Sequence, residues 1–321
     1  MAALVSLLAL AGLAVGVVQL QQRIAPGRYF ALFASLSLVL GAFVVLTDPD
    51  VVGRLREWVG KSLWLALAIP LLLLIPYLIY GLGTGVFSGK ALGKLLAYIA
   101  APTVLLLPDR RHAPAKVGWR DVAAMLALGV PVATRWRAGI WSYPIELYFF
   151  RPVYSVCAGV YAFGVIRNLN GVGYRLLWRQ DDLFNGLVNF LRFALLGIPL
   201  GVALHFIHLR LHPVSPVRFA VELVGTYLTI AIPEELLFRG ILQNLLEQSF
   251  SSKRSGLYAL IIASAVFGAA HLRQPPVPNW KYALMATLAG LFYGNAFRKQ
   301  HRISASALTH ALVDTIWHAW L

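Results

Sequence analysis

The chain has 321 residues, of which 59% are hydrophobic and only 13% charged, with one cysteine and a formal net charge of +15. A soluble domain has about 25% charged residues, so this composition excludes an ordinary soluble enzyme and predicts an integral multi-pass membrane protein. A lone Cys157 excludes an internal disulfide and any CxxC metal site. The basic residues sit between apolar segments, which suits helix flanks and anionic lipid headgroups and argues against a nucleic acid partner.

Crossing a bilayer takes about 20 mostly apolar residues. Runs of that kind occur at 2–20, 29–47 and 62–80. The first has no basic segment ahead of it, so it is expected to be a retained helix and not a cleaved signal. The run 91–107 is apolar but carries Lys94 and Pro102, and 122–133 is too short to span unaided. Together with the aromatic stretch 141–150, the latter predicts helices lying in the membrane interface. The stretch 153–166 is another short apolar candidate, and the polar, glycine-containing segment 168–182 is the best boundary in the chain.

Four further spans are expected around a fifth, unusual one. They cover 186–207 (with Arg192 and Pro199), 256–271, 282–297 and 303–321. The run 219–246 is too long for one straight crossing, and Pro233 is expected to kink it. The predicted fold is therefore all-α: a polytopic transmembrane helical bundle of about eight spans, within a range of about six to ten. Its predicted parts are an N-terminal membrane region, 1–182, with interfacial helices, and a membrane core, 183–321. Basic residues divide evenly between the two sets of short loops, so the positive-inside rule assigns no orientation.

Inside the long run lies Pro233-Glu234-Glu235-Leu236-Leu237-Phe238-Arg239-Gly240. One ionisable residue near a bilayer centre costs about 2.5–3.5 kcal/mol on insertion scales, so three together require a reason. Adjacent helical residues point about 100° apart, so the two acids cannot share a direction. Glu235 and Arg239 are i, i+4 and can pair, which leaves Glu234 without a local partner. A carboxylate in that position suits a general base; the alternative is an ion pair that locks two helices.

Two later segments carry further ionisable residues. Phe267 and His271 are spaced i, i+4 at the end of one apolar helix, and His310 and Asp314 share a face of the last. A carboxylate beside an imidazole can orient it, as in triads and metal sites, or can simply hold helices together. His318 lies one turn further along that face. In an apolar setting the three groups argue jointly for one buried polar site able to activate water.

EExxxR, FxxxH and HxxxD on successive membrane helices resemble the motifs of the CPBP family, the CAAX-protease and bacteriocin-processing (Abi) intramembrane proteases. The resemblance covers about 186–321, while 1–182 carries no matching motif. It implies an endopeptidase that hydrolyses a peptide bond of a membrane-associated peptide or protein substrate near the membrane surface. Glu234 would deprotonate the attacking water, Glu235 with Arg239 would hold the geometry, His271 would position the water, and His310 would stabilise the oxyanion. The family's prenyl-protein proteases typically have Asn where this chain has Asp314; an ionised Asp cannot donate to an oxyanion, so its expected role is either to orient His310 or to act in a protonated form. The resemblance allows a metal-free glutamate mechanism, which is preferred, or a zinc held by Glu234, His271 and His310. There is no HExxH, so the reading without a cofactor is preferred, with zinc as the possible one. The expected location is the cell (cytoplasmic) membrane.

Two other classes compete. A non-catalytic immunity or scaffold protein of the same fold should have lost one of the acids or histidines, and all are present. A proton-coupled transporter should show repeated halves with broken helices in corresponding positions; Pro233 has no counterpart in the first half.

Overall fold

The computed structural model describes residues 24–110, 116–134, 136–147, 150–174, 178–210 and 212–321. The expected span 2–20 lies outside the described residues. The described chain is all-helical and forms two compact units, Met1–Pro114 with Gly118–Asn170, and Ala115–Val117 with Gly171–Leu321.

The first unit contains helices α1 (Pro26–Val45), α2 (Pro49–Lys61), α3 (Leu63–Thr84), α4 (Gly89–Leu106), α5 (Trp119–Ala133) and α6 (Phe150–Ile166). α1 packs on α3 through small residues. A Cβ added at Gly83 would stand 2.3 Å from the Ala31 methyl, so the two backbones approach as only glycine allows. The aromatic stretch after α5 differs from the expected interfacial helix. Residues around 139–147 form turns, and Trp141 is only 2% exposed. Its ring stacks on Phe150 at 4.0 Å and meets Tyr77 edge-on at 5.6 Å. Burying a large aromatic surface in contact with other rings outweighs what an interfacial position offers.

The second unit is built from α7 (Gln180–Ala203), the long run 216–249 (α8), α9 (Ser255–Ala270), α10 (Trp280–Gln300) and α11 (Ile303–Trp320). The run α8 stays helical through Pro233. Around that proline its ladder widens into π turns at Tyr227–Ala231 and Leu236–Gln243, on either side of a short α segment, Ile232–Glu235. Proline removes one backbone donor, and a change of hydrogen-bond register absorbs that loss without breaking the run.

Among the described residues, five helices are long and apolar enough to cross a membrane: Pro26–Val45, Leu63–Thr84, Gly89–Asp109, Gln180–Ala203 and Ser255–Arg273. The expected spans in α8, α10 and α11 fall outside that group although they are helices. α11 shows why: Ser304, Ser306, Thr309, His310 and Thr315 are all buried. Its neighbours are other helices, so its polar positions face protein, where such groups can be satisfied. The molecule is thus an integral membrane protein whose most polar helices are packed among the others.

Candidate active site

The site assembles where α8, α9, α10 and α11 meet. Glu235 and Arg239, one turn apart on α8, are both fully buried, and Arg239 Nη1 donates to Glu235 Oε1 at 2.9 Å. Arg239 Nη2 donates to the Gly290 carbonyl of α10 at 3.1 Å. Gly290 is small for a reason: a Cβ there would lie 3.1 Å from the guanidinium and 3.2 Å from Ser264 of α9. The guanidinium also sits over the Phe267 ring at 4.5 Å and the Tyr293 ring at 5.4 Å. Aromatic faces stabilise a desolvated cation, so the arginine is held from three helices.

Glu235 has a second task. His310 Nδ1 lies 2.9 Å from the same Oε1, and the Ser306 hydroxyl donates to Oε2. The Tyr293 ring stacks on the His310 ring at 4.6 Å and 15°. One carboxylate therefore fixes the ring nitrogen while an aromatic face fixes the ring plane. On the other side of the imidazole, Nε2 lies 3.4 Å from Asp314 Oδ2 and 3.9 Å from Glu234 Oε2. In its doubly protonated form the ring donates to carboxylates on both sides.

Glu234 sits in a different environment. Its side chain is 37% exposed and makes no hydrogen bond to another described residue. It lines a cleft of about 220 Å³ together with His271, His310, Asp314, Tyr282 and Tyr293. Most of the rest of its lining is apolar, with Phe193, Phe206, Phe267 and Met285 among its residues. His271 Nδ1 meets the Phe267 carbonyl at 2.8 Å. A carbonyl only accepts, so Nδ1 carries the proton, and in the neutral ring Nε2 is left as the acceptor.

All six residues read from the sequence thus meet at one place: Glu235 and Arg239 inside the packed interior, Glu234, His271, His310 and Asp314 along the cleft. Asp314, expected to orient His310, stands at its Nε2, while Glu235 engages Nδ1. That second contact, Ser306 and Tyr293 were not foreseen. Ser306 is one turn before His310 on the same face, so i, i+4 reasoning could have found it; nothing in the local sequence points to Tyr293. His318 takes no part in this network and pairs with Glu222 at 3.4 Å. Among the described residues no three His, Cys, Asp or Glu side chains form a group able to hold a metal ion, so Glu234, His271 and His310 do not fit a ready zinc site.

The class of molecule follows from these features: a helical membrane protein with a buried Glu–Arg–His network that opens, through a second glutamate, on an apolar cleft. Residues 216–316 match the family model for Type II CAAX prenyl endopeptidase Rce1-like proteins. That is the CPBP/CAAX-protease family which the three motifs resemble, and the matched segment contains all six residues. It is a family of peptidases, hence of hydrolases. No curated protein and no solved structure matches the chain.

Proposed function

We propose that the protein is an intramembrane endopeptidase that hydrolyses a peptide bond of a membrane-associated peptide or protein with glutamate-activated water. The observation that carries this reading is the division of labour between adjacent acids. Glu235 is buried and engaged by Arg239, His310 and Ser306, whereas Glu234 lines the cleft with no hydrogen bond to a described residue, 3.9 Å from His310 Nε2.

In this mechanism Glu234 takes a proton from water in the cleft as the oxygen attacks the scissile carbonyl. The carbonyl oxygen becomes an oxyanion, and His310 donates to it from Nε2, held in place by Glu235 and Tyr293. His271 accepts a hydrogen bond from the same water through Nε2 and orients it. Glu234 then passes its proton to the leaving amine as the tetrahedral intermediate collapses. Asp314, beside His310 Nε2, steers the ring rather than serving as an oxyanion donor. No step is routed through a metal. Residues 183–321 form the catalytic core and 1–182 an accessory membrane region, in the cell membrane.

The test is a cleavage assay. Purified protein in lipid nanodiscs is offered a panel of membrane-tethered peptides, and wild type is compared with Glu234→Ala and His310→Ala. Cleavage by wild type with loss in both variants is expected. Cleavage that survives both substitutions would overturn the assignment. A wild type that binds but cuts none of the panel would favour the non-catalytic reading.

A further inference from the structure

We infer that Ser306 is a positioning residue of this active site, acting on His310 through Glu235; the inference rests on the endopeptidase reading above. Ser306 is fully buried on α11, one helical turn before His310. Its hydroxyl donates to Glu235 Oε2, while His310 Nδ1 engages Oε1 of the same carboxylate. Glu235 therefore grips α11 at two points one turn apart, and each of its oxygens is held by a different residue of that helix. A carboxylate held through one oxygen can swing about its last side-chain torsion, which is broad and shallow. Held through both, it has one orientation, and so has the imidazole that depends on it.

The surroundings make the hydroxyl hard to replace. Ser306 Oγ also lies 2.9 Å from the Tyr293 carbonyl, on the helix whose aromatic ring stacks on His310. Its one proton has two acceptors within reach, and the ionised carboxylate is the stronger of them. Arg239 and His310 both approach Oε1, so Ser306 is the described donor on Oε2. Without it, a buried anionic oxygen loses its partner, and the favoured response is for the carboxylate to rotate towards Arg239 and away from His310. The residue does not line the cleft and cannot touch substrate, so its effect must show in the chemical step and not in binding.

Ser306→Ala removes the donor with little change of volume; Ser306→Thr keeps a hydroxyl. In the peptide cleavage assay, Ser306→Ala is expected to lower kcat about tenfold, with KM and the thermal midpoint of the purified protein close to wild type. Ser306→Thr is expected to recover most of that loss. A kcat equal to wild type in Ser306→Ala overturns the inference, as does a loss of kcat that only tracks a fall in thermal midpoint. Should Thr prove unable to fit, Ser306→Cys, close in shape but a weak donor, is expected to behave like Ala; full activity in it also overturns the inference. Glu234→Gln measured alongside separates the two ideas. If that variant cleaves normally, the glutamate mechanism fails; if it is inactive while Ser306→Ala is fully active, only the role of Ser306 fails.

Discussion

Among the described residues, each compact unit contains an acid–arginine pair with both side chains buried, and the two pairs are built differently. In the first unit Arg167 meets both oxygens of Asp121, Nε to Oδ1 at 2.7 Å and Nη2 to Oδ2 at 3.3 Å. The same aspartate caps its own helix by accepting from Gly118 N at 2.8 Å. These contacts of Asp121 all go to the guanidinium and the backbone. In the second unit Arg239 takes only one oxygen of Glu235 and gives its other donor to Gly290. The remaining capacity of that carboxylate goes to His310 and Ser306, and through His310 the network reaches a cleft. Desolvating two charges costs several kcal/mol, so a buried pair is weak evidence of stability by itself. A buried pair becomes part of a chemical site when one member has capacity left over and uses it to hold a group at a surface.

The comparison can be broken or sharpened by substitution. The largest effect on rate is expected from Glu234→Gln, which removes the proposed base but no buried partner: kcat in the peptide assay should fall by about 10²–10⁴-fold with an unchanged thermal midpoint. Arg239→Met and Arg167→Met each strand a buried carboxylate and should each destabilise the protein by about 3–5 kcal/mol, read from thermal denaturation in detergent. Only Arg239→Met should also lose activity per folded molecule. Equal losses of specific activity in both would erase the distinction drawn between the pairs.

Asp314→Asn exchanges a charge-assisted contact at His310 Nε2 for a neutral one. It should change kcat by no more than about tenfold, since neutral and charge-assisted hydrogen bonds differ by about 1 kcal/mol. A loss as deep as that of Glu234→Gln would make Asp314 a direct participant. The smallest effect is expected from chelation: prolonged treatment with a strong chelator should leave the cleavage rate as it was, and metal analysis should find no stoichiometric zinc. Inactivation reversed by added zinc would restore the three-ligand alternative of Glu234, His271 and His310.

Helix content and membrane character were legible from hydrophobic runs alone, because satisfying backbone polar groups in lipid leaves few options. The six polar site residues were legible for a related reason: ionisable groups in such runs are costly, so each one stands out. Helical spacing also separated the two acids correctly, with Glu235 paired to Arg239 and Glu234 turned elsewhere. The same reasoning misjudged Trp141, read as an interfacial residue, because a single aromatic does not reveal which rings will surround it. The π turns on either side of Pro233 leave no mark in a pattern of apolar residues, so only the structure revealed them.

For the polar site, the amino-acid sequence by itself determined which residues could meet along one helix: 235 with 239, 267 with 271, 310 with 314. Local geometry is enough for that, because i and i+4 are neighbours wherever the helix goes. Only the tertiary structure decided that Glu235 holds His310, that Tyr293 and Ser306 complete the grip, and that Glu234 is the acid left facing the cleft. Those contacts join different helices, and which faces pack together depends on side-chain fit across the whole bundle, which no single segment encodes.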